Sequence, residues 1–535
     1  MGEARQTAVI VGGGPAGLTA ALQLLRQTNI HPIVVESGDM VGGISRTIDC
    51  GGYRIDLGGH RFFSKSDWVM NWWQDILPLD PSSRVAGDTI SVGYRNRSRS
   101  VPVSVSDEPG SNGDRVMLVR NRLSRIYFLR KFFDYPVKLN LRTIANLGPW
   151  RFAKAAASYA RASAFPRRPE RSLEDFLINR FGVELYRTFF KSYTEKVWGV
   201  SCDRISAEWG AQRIKGLSLV AAARHALSRM SPQSARTSRR IRTSLVESFL
   251  YPKFGPGQLW EEVARRVRAD GGEIRLSQRV DRIGLMHNRV VEVEVRDLTT
   301  GARSSLKADY LISSMAVQDL IACLDPAPPA EVRRVASELP YRDFVTVGLL
   351  VRRMKNRSWA TGNGDMSFPP DNWIYIQEPN IRAGRLQIFN NWSPAMVADP
   401  ALIALGVEYF CNRDDELWSR SDAEIQALAI RELQEIELID DEDVVKGIVV
   451  RVPRAYPAYF GAYAEFGLVR AHVDTIENLF LVGRNGMHRY NNQDHSMLTA
   501  KAAIDNIATG RTDKQNIWEV NVDDEYHEER EPASA

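Results

Sequence analysis

Glycines at positions 12, 14 and 17, followed by a carboxylate at Glu36, have types and spacing suited to one piece of chemistry, the holding of a pyrophosphate and its ribose. Gly14 opens the backbone to a diphosphate, and Gly17 lets a helix pack closely on its strand. Pro15 and Ala16 suit the first helical turn, where the missing N–H of proline costs nothing. Glu36 stands about 20 residues past Gly17, where a carboxylate accepts hydrogen bonds from ribose hydroxyls. The elements that must position these groups are readable around them. Ala8 to Val11 is an apolar run, Leu18, Leu22 and Leu25 recur at helical spacing, and Ile33 to Val35 is a second apolar run ending at the acid. Strand, glycines, helix, strand and acid in register predict a βαβ dinucleotide-binding unit.

The chain has 535 residues, room for two or three domains and a core that needs no covalent staples. Cys50, Cys202, Cys323 and Cys411 are scattered without C-x-x-C or metal spacing, which predicts reduced thiols, no metal site and a cytoplasmic setting. No basic, apolar leader pattern is read before Ala8, so no cleaved secretory signal is expected, and no run of 18 apolar residues occurs. The net charge of +5 is unevenly spread. Arginines cluster between Arg120 and Arg171 and again between Arg224 and Arg242, while the last residues are acidic. The basic runs read as solvated faces or as a surface for an anionic partner, a phosphate-bearing substrate or an acidic lipid surface. Nucleic acid is excluded because no binding module accompanies the charge.

After Glu36 come Gly42-Gly43 with Arg46-Thr47, then Gly58-Gly59-His60-Arg61. This resembles the G-G-x-x-x-T segment of flavoproteins in the amine oxidase, protoporphyrinogen oxidase and UDP-galactopyranose mutase superfamily. The resemblance implies FAD as cofactor, with Gly42, Gly43 and Arg46 approaching its pyrophosphate and flavin and His60 beside the ring. It also implies an α/β fold whose Rossmann-like FAD-binding domain is assembled from separated pieces, 1–65, 251–325 and 475–512. Between them are expected a helical substrate or lid domain, 120–245, and a β-rich substrate layer, 335–455. The Ser/Arg-rich stretch 228–244 reads as a lid, and 513–535 as an acidic, weakly ordered tail.

Leu185 to Gly199 resembles the Y-x-x-F-x-K-x-Y-T-x-K-x-W-G helix of UDP-galactopyranose mutases, and Tyr135 to Ile144 resembles their P-x-x-L-N-x-x-T-I segment. By that match Phe190, Tyr193, Thr194 and Trp198 contact a nucleotide. By periodicity alone, Tyr186, Phe190, Tyr193 and Val197 are a core stripe. Gly483 to Asp494 is similar to G-R-x-x-x-Y-x-Y-x-D-M-D of the mutases. The match implies Gly483, Arg484, Asn492 and Asp494 at the cofactor, with Arg484 and Tyr490 also at the substrate. Leu339 to Arg342 resembles L-x-Y-R, whose arginine grips a diphosphate. Departures are His488 for Tyr, Asn492 for Asp, and Leu217 where a second arginine follows Arg213. Ser313-Ser314-Met315-Ala316 also replaces Y-T-G-P-I-D. Two reactions therefore stay open. One is flavin N5 chemistry at the anomeric carbon of a nucleotide-diphosphate sugar, with His60, Arg484 and Tyr490 as catalytic groups. The other is an FAD-dependent oxidase or dehydrogenase, for which the basic amphipathic stretch from Tyr127 to Arg161 would offer a membrane contact.

Overall fold

The computed structural model describes residues 5–81, 89–94, 97–102, 113–135, 137, 141–207, 248–355 and 367–520. Arg213 and the proposed lid 228–244 fall outside these residues, as does the end of the tail from 521.

The short apolar runs of the amino terminus form a five-stranded parallel sheet. Its order is Glu273–Arg275, His31–Val35, Thr7–Val11, Tyr310–Ser313 and Leu479–Leu481. Three separated pieces of chain therefore complete one sheet, as the resemblance implied. Helices Pro15–Gln27, Pro256–Ala269 and Gln493–Thr509 cover it. Strands buried on both faces have no need of polar alternation, which is why these segments read as continuous apolar runs. A buried cluster ties the first piece to the second. Thr47 Oγ donates to Asp56 at 2.8 Å, the Tyr251 hydroxyl donates to the other carboxylate oxygen, and the Gly257 amide donates to Thr47 Oγ at 3.0 Å. Burial pushes the Asp56 carboxyl up to about 7.

The second layer is a seven-stranded, mostly antiparallel sheet. Its order is Val444–Pro457, Tyr341–Val351, Ile403–Cys411, Arg385–Ile388, Trp373–Ile376, Ser124–Phe128 and Lys131–Asp134. The β-rich layer is thus wider than its expected span of 335–455. The region expected to be helical from 120 begins with two strands that join this sheet, and its helices start after 140. Ser172 caps the helix Leu173–Leu185 through a capping box with Asp175. The chain then enters a π-helical stretch, Tyr186–Lys191, before resuming as the helix Ser192–Trp198. The expected weakly ordered tail is corrected for its first part. Gln515–Glu519 is helical with Ile517 and Trp518 buried, and the Trp518 indole donates to Asp474 at 3.1 Å.

Candidate functional site

The first half of the site is built from backbone. Gly12 and Gly17 permit the tight strand-to-helix turn. Gly12 has φ +104°, and a Cβ on Gly17 would lie 1.9 Å from the Gly12 carbonyl oxygen. Gly14 caps the helix and Pro15 opens it, so the free amides of its first turn face outward with no acid among them. The second glycine loop docks on the first through the Gly42 amide, which donates to Gly13 O at 2.9 Å, and Gly43 lies against Gly14. Glu36 is held by the amides of Gly13 at 2.6 Å and Gly38 at 2.7 Å, which orients its carboxylate. Gly483 lies against Ala16 and carries the third piece of chain into place. Beyond it Asn492 caps the helix Gln493–Thr509 with its side chain exposed, while Asp494 is buried and accepts from Ser64 Oγ at 2.8 Å.

Polar atoms here are buried without a protein partner, among them Nε of the half-buried Arg46 and both amide atoms of Gln493, which is only 8% exposed. Unpartnered buried groups are costly, and a ligand with phosphates and hydroxyls is what they lack. Outward-facing helix amides, an oriented carboxylate and orphaned donors fit a dinucleotide cofactor such as FAD.

The second half is built from side chains on the seven-stranded sheet. Cross-strand pairing aligns Tyr375 with Arg385 and Arg385 with Glu408, a polar row across three strands. The Arg385 guanidinium pairs with Glu408, donates to the Tyr456 hydroxyl at 2.9 Å, and lies between the rings of Trp373 and Phe410 at 4.7 and 4.6 Å. Glu408 is 0% exposed and also accepts from Gln387 Nε2 at 2.6 Å. Because Arg385 donates to Tyr456, that hydroxyl keeps its own proton to offer elsewhere. The Tyr456 ring stacks on Tyr490 at 5.8 Å, and the Arg484 guanidinium lies 4.8 Å over Tyr490. Arg484 is fixed by the Asn491 carbonyl at 3.0 and 2.6 Å and the Ala455 carbonyl at 3.1 Å, and forms no ion pair among the described residues.

His60 joins this cluster from the first half. The Gly58-Gly59 turn packs against Trp373, and Gly58 O takes a hydrogen bond from His60 Nδ1 at 3.0 Å, which leaves Nε2 as an acceptor. Burial, then the nearby charges of Arg484 and Arg385, push the His60 imidazole down to about 4. It is neutral at physiological pH. Tyr193 closes the cluster from the insertion, edge-on to Tyr375 at 5.5 Å; burial raises its phenol well above the usual range. The π-helical stretch explains how it arrives there. The wider turn takes Tyr193 off the stripe seen in the sequence, whose other members, Tyr186, Phe190 and Val197, stay on the helical core. Tyr186 therefore turns into the helical core while Tyr193 faces the sheet.

His60, Tyr193, Arg484 and Tyr490 are thus brought together. Other expected substrate residues have different surroundings. Phe190 stacks on Phe181 at 4.6 Å, and Trp198 is buried in the helical core. Thr194 is half-buried on the same short helix. Arg342 is spent inside the protein: Nε donates to Val197 O at 3.0 Å, Nη2 to Lys196 O at 3.2 Å, and Nη1 to Asn412 at 2.6 Å. It caps the carboxyl end of the helix carrying Tyr193, where a cation is favourable. His488, in place of the mutase tyrosine, is wholly buried with Nε2 3.1 Å from Ala458 O, and burial pushes it down to about 4.

Sequence reading missed Arg385, Glu408, Tyr456, Tyr375, Trp373 and Gln387. A signal existed for some of them. Arg385 and Gln387 alternate with Leu386 and Ile388, and Glu408 is the one charge within the buried run Ile403–Cys411.

A sequence-family model for flavin containing amine oxidoreductases matches residues 15–492. The fold is similar to that of a reduced UDP-galactopyranose mutase, with TM-score 0.75, 20% identity and 97% of each chain covered. It is also similar to a putative protoporphyrinogen oxidase from Exiguobacterium sp. 255-15, with TM-score 0.64, 17% identity, and 95% of this chain and 100% of that chain covered. A putative flavin-containing monoamine oxidase of Mycobacterium tuberculosis is 24% identical over 215 residues, 39% of this chain and 40% of that protein.

Proposed function

The chain belongs to the flavin-containing amine oxidoreductase family and is an FAD enzyme, and from that premise we propose that it acts on a nucleotide-diphosphate sugar, like a UDP-galactopyranose mutase. The charge of the site carries this reading. Arg484 faces the cluster without a carboxylate, and Glu408 is fully engaged by Arg385 and Gln387. Such a site attracts a diphosphate and repels an ammonium group. Bound FAD supplies a reactive ring nitrogen and electrons at the anomeric carbon.

The protein's own residues bind and orient. Arg484 and Tyr490 bear on the anionic end, Tyr193, Tyr375 and Trp373 flank base or sugar, and the Tyr456 hydroxyl donates a hydrogen bond. Neutral His60 accepts a hydrogen bond from a sugar hydroxyl at Nε2. Glu36, Arg46, Gln493 and the two helix amino termini hold the cofactor.

A second reading is hydride transfer from a C–N or C–C bond to FAD. It is favoured by the full engagement of Arg342, which takes away the diphosphate grip that the mutase resemblance implied. Offering UDP-sugars to the pre-reduced protein decides between the two. Redox-neutral interconversion of the sugar is expected. Stoichiometric peroxide from an amine or cyclic substrate, with UDP-sugars untouched, would replace this proposal by the oxidase.

A further inference from the structure

The helix Pro149–Ala164 lies on the outside of the insertion and has two unlike faces. Its inner face, with Ala155 and Ala162 buried and Phe152 and Tyr159 half-buried, packs on Leu173–Leu185. Contact is close enough for Ser158 Oγ to accept the Glu184 amide at 3.2 Å. Its outer face is a stripe of Trp150, Lys154, Ala157, Arg161 and Ala164 at alternating steps of four and three residues, extended by Phe165 at the cap; all are exposed. Trp150 is 71% and Phe165 80% exposed, the two most exposed large hydrophobic residues among those described. They stand at opposite ends of a helix about 24 Å long.

Charge on this face has one sign. Lys154 and Arg161 lie in the stripe and the exposed Arg151 flanks it in the first turn; no acid lies on the helix, and none of the three cations makes an ion pair among the described residues. Of the acids on the neighbouring segment, Glu170 is paired with Arg180 and Glu174 and Asp175 with Arg167, while Glu184 lies half-buried on the inner side beside Ser158. Lys154 folds its ammonium over the Trp150 ring at 5.3 Å, so its stem adds to the apolar surface. Aromatic rings at both ends, alanines between them and cations interleaved are the chemistry of a helix lying in a headgroup layer.

We infer that the helix Pro149–Ala164 docks this protein on an anionic lipid bilayer, with Trp150 and Phe165 inserted and Arg151, Lys154 and Arg161 on the headgroups. The helix lies flat, because no helix among the described residues is long and apolar enough to cross a membrane. A second copy does not suit this face, since two such stripes would meet cation to cation. Docking does not depend on which substrate the enzyme takes. It would turn the insertion that carries Tyr193 toward the membrane side.

Co-sedimentation of the FAD-loaded protein with vesicles tests this. One set is phosphatidylcholine alone and the other contains about a third phosphatidylserine. Binding to the anionic set only, released by added salt, is expected. Replacing Arg151, Lys154 and Arg161 together by Gln should weaken binding on the order of 100-fold, at about fivefold per cation. Trp150→Ala with Phe165→Ala should weaken it on the order of tenfold. Unchanged flavin absorbance in both variants shows that they are folded. Failure of the wild-type protein to sediment with anionic vesicles overturns the inference. So does equal binding to both vesicle sets, or variants that bind like wild type. A dimer or an RNA complex abolished by the same substitutions, without vesicle binding, overturns it as well.

Discussion

The proposed cofactor crevice and the proposed substrate wall are made from different materials. In the crevice the working groups are mostly backbone: amides at the head of Pro15–Gln27, the paired glycine loops, and a carboxylate steered by two amides. In the wall they are side chains from distant positions: Tyr375, Arg385 and Glu408 aligned by strand register, Tyr456 on the same sheet, and Tyr193 and Arg484 brought in on helices. Local spacing dictates a backbone site. A side-chain site exists only after the sheet has formed, so its parts cannot be located before the pairing is known.

The sharpest way to break the crevice is a single methyl-bearing side chain. Gly17→Val puts atoms where the Gly12 carbonyl oxygen stands 1.9 Å from a Cβ, so the turn must open. The variant should purify without flavin, read as the ratio of flavin to protein absorbance. A yellow variant with the normal ratio would mean that the turn does not hold the cofactor. The wall should break differently. Glu408→Ala leaves Arg385 buried without its partner, and should cost about 3–5 kcal/mol in denaturant unfolding. Replacing both, with Glu408→Leu and Arg385→Met, should recover most of that loss, because an apolar pair removes the stranded charge. No recovery in the double variant would show that Arg385 and Glu408 are not an interdependent pair.

The same contrast explains what was legible in the sequence. Glycines 12, 14 and 17 and Glu36 were readable because spacing and apolar runs encode them, while the joining of three separated pieces in one parallel sheet was implied by the resemblance. Tyr193 was named only through the resemblance, since periodicity alone puts it in a core stripe and does not announce the π-helical turn at Tyr186–Lys191. Arg342 looked like a phosphate ligand because its residue type suits one, yet the oxygens it meets are Val197 O, Lys196 O and Asn412 Oδ1. Only the packing of a helix end against a strand reveals that use. Glu408 was passed over because a charge in a buried strand gains meaning from the residue across the ladder.

Those two arginines give the next test. Arg484→Ala should weaken UDP-sugar binding by about 1.5–3 kcal/mol, measured by titrating flavin absorbance, and should also lower stability, because it releases the Asn491 and Ala455 carbonyls. Arg342→Ala should act mainly on stability. It leaves Lys196 O and Val197 O uncapped at the foot of the Tyr193 helix and should lower stability by about 1–3 kcal/mol, with a smaller effect on affinity. If Arg342→Ala weakens binding at unchanged stability, the arginine belongs to the substrate side after all.

The smallest effect lies in the pH dependence, where the two regions pull in opposite directions. His60 and His488 are each pushed down to about 4, so the folded protein keeps them neutral while the unfolded chain protonates them near its ordinary value of 6.5. Their contribution to stability is present above 6.5 and is lost as pH falls toward 4. Asp56, raised from 3.8 to about 7, has the opposite sign. The folded state holds its proton while the unfolded chain releases it, so that contribution is full below 3.8 and is lost as pH rises to about 7. In wild type the Asp56 slope cancels about one of the two histidine slopes across the shared window. Asp56→Asn keeps a partner for Tyr251 and Thr47 but removes one slope. Between about pH 4.5 and 6.5 its stability should then rise more steeply than wild type, by about 1.4 kcal/mol per pH unit in urea unfolding. Parallel curves for the two proteins would show that Asp56 is ionised in the folded state, with the Tyr251 and Thr47 hydroxyls sufficient to hold its charge.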